Sequence, residues 1–186
     1  MTPTNYILAS KSPRRKHLLE LANIQFEIIT EDTIEDFPDD LDIDEVPVFI
    51  AKNKANAVFQ KNTDRTIIAA DTIVVLENNI IGKPKDRADA IEILTSLSGK
   101  MHEVITGVVV MNQQKTIAFS DKTAVHFHEL TNEQIVYYVD TFKPFDKAGA
   151  YAIQEWIGAI GIQSIHGCFY NVMGLPISKL IQALKS

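Results

Sequence analysis

The chain has 186 residues, 46% hydrophobic and 23% charged, which is the size and composition of one globular domain. Its formal net charge of −6 argues against a general nucleic-acid-binding protein, which carries a basic face. The sequence has neither the ~20 consecutive apolar residues of a membrane span nor the pattern of a secretory signal. Its single cysteine, Cys168, fits a reducing compartment. We therefore expect a cytoplasmic protein without nucleic-acid or membrane partners.

The predicted elements alternate between strands and helices from the start of the chain. A short buried strand at residues 6–9 precedes a helix with Ser12 as its N-cap and Pro13 at its first position. A second strand is predicted at residues 26–29. The segment 31–45 is predicted to be a loop, because nine of its fifteen residues are Asp or Glu.

The middle of the chain carries two apolar runs. A helix from about Pro47 leads to a run at residues 66–70, which suits a strand covered on both faces. A second run at 73–76 is predicted to form a hairpin with residues 80–81 across Asn78-Asn79. The remaining predicted elements are a helix capped by Asp86 and running to about Leu97 with Gly99 beyond it, strands at 104–111 and 115–127, a helix opened by the capping box Thr131–Gln134, a strand at 160–165 and a helix from about Leu175. This alternation indicates an α/β class with a mixed sheet.

The turn from Ser10 to Arg15 is a candidate anion site. A strand, a short polar turn and a helix N-terminus bring free backbone N–H groups and the positive end of the helix dipole together. Arg14, Arg15 and Lys16 lie in the first helical turn, where each cation opposes the dipole at a cost of ~0.3–1 kcal/mol. A bound polyphosphate would make this arrangement favourable. The alternative is an ordinary Ser-Pro helix start whose arginines face solvent.

Asp71 is a candidate metal ligand or proton acceptor. It follows the predicted strand at 66–70, and open α/β sheets bind ligands at the carboxyl ends of their strands. A carboxylate there can hold a cation or accept a proton from an attacking water. The alternative is an aspartate that caps a turn.

Four other polar residues are candidates through the segments that carry them. Lys54 lies on the helix after the acidic loop, and Lys83 lies in the stiff turn Gly82-Lys83-Pro84. Glu35 is a candidate metal ligand among eight other acids of the loop. The Gln154 amide is both donor and acceptor, which suits the N3–H and carbonyl oxygens of uracil or thymine. Taken singly, each is more simply explained as a solvated or structural side chain.

Six short motifs, in a fixed order, carry a resemblance to a known family. They are Leu8-Ala9-Ser10-Lys11-Ser12-Pro13-Arg14-Arg15, Ala70-Asp71-Thr72-Ile73-Val74, Gly82-Lys83-Pro84, Leu97-Ser98-Gly99, Asp146-Lys147-Ala148-Gly149-Ala150-Tyr151 and Gly174-Leu175-Pro176. Each is weak alone, but their order and spacing resemble the Maf family of nucleotide pyrophosphatases over essentially the whole chain. The resemblance implies one α/β domain over residues 1–186, with a bent mixed β-sheet flanked by helices and two lobes around a cleft (the Maf/ITPase-like fold).

The resemblance also implies a reaction and a set of roles. The reaction is hydrolysis of dTTP and UTP, or modified pyrimidine nucleotides, to the monophosphate and pyrophosphate with Mg²⁺ or Mn²⁺, which cleans the nucleotide pool. A homodimer is implied as well. By this resemblance Asp71 is the proton acceptor, and Arg14, Thr72 and Gln154 select the base. The resemblance also assigns phosphate or metal contacts to Arg15, Glu35, Lys54 and Lys83. Among these contacts we expect Glu35 and Asp71 to be the metal ligands, and Ser10, Arg15, Lys54 and Lys83 to bind the substrate.

Three other functions remain open at this point. The chain could be a 7-methyl-GTP pyrophosphatase, a small-molecule phosphatase, or a non-catalytic nucleotide sensor that affects cell division through a partner. Asp71 favours an enzyme over a sensor, because simple phosphate binding gains little from an added negative charge. The identity of the released phosphate distinguishes a pyrophosphatase from a phosphatase.

Overall fold

The computed structural model describes residues 5–185 and confirms the α/β class. The strands are β1 Tyr6–Leu8, β2 Phe26–Ile28, β3 Thr66–Leu76, β4 Asn79–Ile81, β5 Met101–Met111, β6 Thr116–Phe127 and β7 Ile162–His166. The helices are α1 Pro13–Leu21, α2 Val46–Phe59, α3 Arg87–Leu97, α4 Asn132–Phe142, α5 Trp156–Gly161, α6 Phe169–Val172 and α7 Ile177–Lys185, with a 3₁₀ turn at Ala148–Ala150.

Among the described residues, the strands form one seven-stranded mixed sheet. Its order is β2-β1-β3-β5-β6-β7, and β4 pairs with β3 off this path. The pairings of β1 with β2 and with β3 are parallel, whereas β3 pairs antiparallel with β4, and β6 pairs antiparallel with β7. The predicted mixed sheet is therefore confirmed.

The chain forms two compact units that are interleaved in sequence. The first unit contains the residues up to Asp71, Thr106–Asp121, and the residues from Gly174 onward. The second unit contains Thr72–Ile105 and Lys122–Met173. Strands β3, β5 and β6 each contribute residues to both units.

The core of the first unit follows directly from sequence periodicity. Alternate residues of a strand face the same side, and three strands each present one such pair to helix α2. The buried cluster consists of Ile7 and Ala9 of the β1 segment, Ile67 and Ala69 of β3, Val109 and Met111 of β5, and Ala51, Ala55 and Val58 of α2. The start of α2 packs directly on β5, since a Cβ at Gly107 would lie 2.2 Å from the backbone nitrogen of Val48.

The second unit is built around helices α3 and α4. The two helices pack against each other, and Arg87 forms a two-pronged ion pair with Asp140 at 2.6 and 2.9 Å. Three buried rings lie in mutual edge-to-face contact at centroid distances of 5.0 to 5.4 Å: His102, Phe127 and Tyr151. Within the part of the chain that is described, no helix combines the length and apolar character required to cross a bilayer.

Several predicted element boundaries are wrong. The hairpin turn lies at Glu77-Asn78, where both residues have positive φ (50° and 65°), and Asn79 already belongs to β4. Strand β7 begins two residues later than predicted, because Trp156–Gly161 forms a helix that extends the preceding turn. Strand β5 begins three residues earlier, at the exposed Met101. Apolar runs indicate where a strand is buried, and they do not report its exposed ends.

Candidate active site

The turn between β1 and α1 has the predicted geometry. Ser12 is the N-cap of α1, and its Oγ accepts the backbone N–H of Arg15 at 3.5 Å. Ser10 Oγ accepts the backbone N–H of Ser12 at 3.2 Å. Pro13 occupies the first helical position, so Arg14 and Arg15 lie at the positive end of the helix dipole. A bound polyanion would stabilise this arrangement.

The guanidinium of Arg15 is held by two oxygen atoms of the first unit. Its Nε donates to the carbonyl oxygen of Gly174 at 2.9 Å, and its Nη1 donates to Ser10 Oγ at 3.1 Å. Gly174 has a φ of 113°, which favours glycine at this position. The sequence indicates Gly174 only as part of a motif and gives no role for it, because its partner Arg15 lies 159 positions away.

The charge of Arg15 is balanced by neighbouring carboxylates. Burial has the largest effect on the pKa of Arg15 and lowers it, the Asp71 carboxylate raises it, Arg14 lowers it, and Glu35 raises it. An arginine keeps its proton in proteins, so Arg15 stays positively charged despite its burial. They also indicate that Arg14, Arg15, Glu35 and Asp71 share one electrostatic environment.

Lys54 connects the two candidate metal ligands. Its Nζ lies 2.7 Å from Asp71 Oδ1 and 2.6 Å from Glu35 Oε1. Lys54 and Asp71 are largely shielded, with 18% and 14% of their side chains exposed, whereas half of Glu35 is exposed. Shielding strengthens an ion pair relative to the same pair in bulk water. Helix α2 places Lys54 here, and the acidic loop before that helix supplies Glu35.

The prediction that Asp71 follows a strand is wrong, because Asp71 lies within β3. The strand is buried at Thr66–Ala70 and again at Ile73–Leu76, and Asp71 and Thr72 between them are half-buried. The predicted position at the carboxyl end of a strand pairing is right in one respect. The parallel pairing of β1 with β3 ends at Leu8 and Ile68, so both Ser10 and Asp71 lie just beyond it.

The other three predicted site residues belong to the second unit. The side chains of Lys83 and Gln154 are exposed, and that of Thr72 is half-buried. The backbone N–H of Gly149 donates to the carbonyl oxygen of Gly82 at 3.1 Å, so the turn that carries Lys83 lies against the segment that leads to Gln154. Six predicted residues are therefore grouped in the first unit: Ser10, Arg14, Arg15, Glu35, Lys54 and Asp71.

The residues present fit a hard divalent cation that is bound together with substrate. Glu35 and Asp71 direct carboxylate oxygens at one point, now taken by the ammonium of Lys54. Mg²⁺ is commonly bound by one or two carboxylates plus phosphate oxygens and waters. Within residues 5–185, no group of three or more His, Cys, Asp or Glu side chains is arranged to hold a metal by itself. Phosphate oxygens would therefore have to complete the coordination.

Comparison with known proteins gives one consistent family. The family described as Maf-like protein matches residues 5–186 of the chain. The dTTP/UTP pyrophosphatase of Parabacteroides distasonis is 49% identical over 181 residues, covering 96% of this chain and 94% of the relative. That of Cytophaga hutchinsonii is 51% identical over 182 residues, covering 98% of this chain and 84% of the relative.

The fold is also similar to that of a solved structure. The Ham1 protein of Staphylococcus aureus superimposes with a TM-score of 0.56 at 15% sequence identity, covering 97% of both chains. At this level of identity the similarity concerns the fold alone.

Proposed function

The chain belongs to the Maf family, and on that basis we propose that it is a metal-dependent pyrophosphatase acting on dTTP and UTP. The observation that carries the proposal is the shielded pairing of Lys54 with Asp71 and Glu35, beside the anchored guanidinium of Arg15. Carboxylates and cations in one polar cluster suit the two tasks of the reaction, which are activating a water and neutralising a triphosphate.

Asp71 is the group we assign to the water. The water oxygen forms a bond to the α-phosphorus, and the bond from that phosphorus to the oxygen bridging to the β-phosphorus breaks. The proton of the water passes to the Asp71 carboxylate, and the electron pair leaves with pyrophosphate. The Asp71 carboxylate has two oxygens, and Lys54 contacts only Oδ1, so one oxygen can accept this proton while the other contacts a cation.

Glu35 and Asp71 would hold the divalent cation, Mg²⁺ or Mn²⁺. When bound, the cation neutralises charge on the phosphate oxygens. Arg15, Lys54 and Lys83 are assigned to the charge that develops on the departing pyrophosphate, which is mainly an electrostatic task. The Ser10 hydroxyl and the Gly174 carbonyl hold Arg15 in place for it.

Base selection is assigned to Arg14, Thr72 and Gln154. Gln154 is exposed, so its amide is accessible to a pyrimidine ring. The amide can accept from N3–H of thymine or uracil and donate to a neighbouring carbonyl oxygen. Modified pyrimidine triphosphates that keep this edge are substrates under the same proposal, which would make the enzyme a cleaner of the nucleotide pool.

The cellular setting is part of the proposal. We place the enzyme in the cytoplasm, as a homodimer with neither nucleic acid nor membrane as a partner. Its net charge of −6 and its single cysteine support this setting. Light scattering during size-exclusion chromatography would measure the oligomeric state, and a monomer at micromolar concentration would contradict the homodimer.

A panel of five nucleotides tests the activity. The protein is incubated with dTTP, UTP, CTP, GTP and 7-methyl-GTP in the presence of Mg²⁺, and pyrophosphate and orthophosphate are measured separately. We expect pyrophosphate from dTTP and UTP at the highest kcat/KM. Preference for 7-methyl-GTP would instead make the chain a 7-methyl-GTP pyrophosphatase. Orthophosphate as the primary product would indicate a phosphatase, and binding without turnover would indicate a nucleotide sensor.

A further inference from the structure

The segment that carries Gln154 is held by a largely buried polar network in the second unit. The network consists of Tyr138, Lys147 and Glu155. The Lys147 side chain is only 9% exposed, and its Nζ lies 3.6 Å from Glu155 Oε1 and 2.7 Å from Oδ1 of the adjacent Asp146. The other carboxylate oxygen of Glu155 accepts the hydroxyl of Tyr138, whose side chain is fully buried.

The Tyr138 hydroxyl binds one backbone group before Gln154 and the side chain of the residue after it. It accepts the backbone N–H of Ala152 at 3.1 Å and donates to the Glu155 carboxylate. The turn is closed by the N–H of Glu155, which donates to the carbonyl oxygen of Ala152 at 3.0 Å. One hydroxyl thus holds the residue two positions before Gln154 and the residue directly after it, while the Gln154 side chain itself stays exposed.

The ion pair of Lys147 with Glu155 gives little reason to expect a gain in net stability. Removing an ammonium and a carboxylate from water costs several kcal/mol per ion, and their attraction roughly offsets this cost. A pair of apolar side chains would stabilise the same space at least as well. A role in holding the chain in one geometry therefore accounts better for a buried Lys147 beside Glu155.

We propose that Tyr138, Glu155 and Lys147 are positioning residues that hold Gln154 and thereby set the preference for thymine and uracil over cytosine. The inference rests on the proposed function, in which Gln154 reads the base. None of the three residues has to touch the substrate for this role.

The chemistry of the two bases explains why position matters. Thymine presents the N3–H donor beside a carbonyl acceptor, whereas cytosine presents the N3 acceptor beside an amino donor. A glutamine amide carries both a donor and an acceptor, so it can pair with either base if it turns over. Discrimination against cytosine requires an amide that is held in one place, because specificity is a difference between two affinities.

The test is the ratio of kcat/KM for dTTP to kcat/KM for dCTP. This ratio does not depend on the active fraction of the preparation, so a partly unfolded variant does not change it. We expect Tyr138→Phe to lower the ratio about tenfold, the size of effect that one lost buried hydrogen bond produces. Tyr137→Phe is the matched control, since that neighbouring ring is half-exposed and packs against Trp156 in a T-shaped arrangement.

Two further variants make each outcome decisive. Glu155→Ala should lower the ratio in the same direction, and it decides the matter if Tyr138→Phe does not fold. Gln154→Ala tests the proposed function itself. If Gln154→Ala lowers the ratio and the network variants leave it at the wild-type value, the positioning role is wrong. If Gln154→Ala also leaves the ratio unchanged, the assignment of Gln154 to the base is wrong, and the inference fails with it.

Discussion

The ammonium of Lys54 lies 2.7 Å from Asp71 Oδ1, in the position beside the carboxylate that a metal ion would take. The same ammonium lies 2.6 Å from Glu35 Oε1, so one cation neutralises both candidate metal ligands. A divalent cation added without nucleotide would meet this lysine and the nearby Arg15. A triphosphate carries enough negative charge to attract Lys54 and leave the carboxylates to the metal. Metal binding should therefore depend on nucleotide.

We expect Lys54→Met to bind Mn²⁺ more tightly than the wild type when nucleotide is absent. Removing the ammonium leaves two carboxylates without their shared counter-ion, and we expect about a tenfold gain, since close charge pairs are coupled by 1.5 kcal/mol or more. Paramagnetic resonance of free Mn²⁺ measures the affinity. Lys52→Met, an exposed lysine of the same helix, is the control. Equal affinity in wild type and Lys54→Met would contradict the competition.

Replacing Asp71 by asparagine should abolish turnover and largely preserve nucleotide binding. Asparagine keeps the shape of the side chain and an oxygen for Lys54, but it cannot take a proton from water. Loss of a general base costs ~10²–10⁴-fold in rate. We expect that loss in kcat for dTTP, with its affinity in Ca²⁺ changed by less than about threefold. Asp64→Asn, an exposed aspartate before β3, is the control, and wild-type-like turnover of Asp71→Asn would exclude the assigned role.

Local signals predicted the geometry of the turn between β1 and α1 well. A helix cap is decided by residues three positions apart, so Ser12, Pro13 and the arginines after them could be placed from the sequence alone. The capping box at Thr131–Gln134 was predicted for the same reason, and both of its hydrogen bonds are present. Elements with such local determinants make up the correctly predicted part of the fold.

Two kinds of feature could not be predicted from the sequence: the full length of an interrupted strand, and contacts between distant segments. Asp71 was placed after a strand because a polar residue interrupts an apolar run, although the backbone of β3 continues through it. The contact of Arg15 with Gly174 joins residues 159 positions apart. Tyr138 and Glu155 carry no sequence signal, since a buried hydroxyl that joins a backbone N–H to a distant carboxylate is defined only by packing.

Arg15→Lys should weaken substrate binding even though it keeps the positive charge. Lysine lacks the planar fork with which Arg15 donates from Nε to Gly174 and from Nη1 to Ser10. We expect KM for dTTP to rise about tenfold, the effect of losing charge-assisted hydrogen bonds. Steady-state kinetics measure it, with Arg87→Lys as the control, because Arg87 is an exposed arginine that makes a two-pronged ion pair with Asp140 and has no assigned role in substrate binding. An unchanged KM would show that charge alone is sufficient.

Gly107→Ala should destabilise the first unit strongly. The added methyl would lie 2.2 Å from Val48 N and 2.3 Å from the carbonyl carbon of Pro47, and both atoms are backbone. Overpacking against backbone costs about 3 kcal/mol or more, which lowers the Tm by roughly 6–12 °C in a chain of this size. Gly82→Ala is the control, since a Cβ there meets nothing within 4 Å. Calorimetry compares the two, and equal Tm values would contradict the packing of α2 on β5.

The stability of the protein should fall as pH decreases, through His102. This side chain is 1% exposed, and burial, with a smaller contribution from His126, lowers its pKa from 6.5 to about 4. Because the pKa of His102 is lower in the folded state, the unfolded state binds the proton first. Above pH 6.5, His102 is neutral in both the folded and the unfolded state. As pH falls from 6.5 towards 4, only the unfolded state gains the proton, so the free energy of unfolding decreases.

Urea unfolding at pH 7 and pH 5 measures this loss. For a pKa that changes from 6.5 to about 4, the expected loss is about 2 kcal/mol between these two pH values. His102→Gln places an amide near Tyr151, whose hydroxyl is 2.8 Å from His102 Nε2, and removes the titrating group. The pH dependence of its unfolding free energy should then be about 2 kcal/mol smaller than that of the wild type. His128→Gln, at an exposed position, should keep the wild-type dependence. Equal slopes in His102→Gln and wild type would mean that other groups control the acid sensitivity.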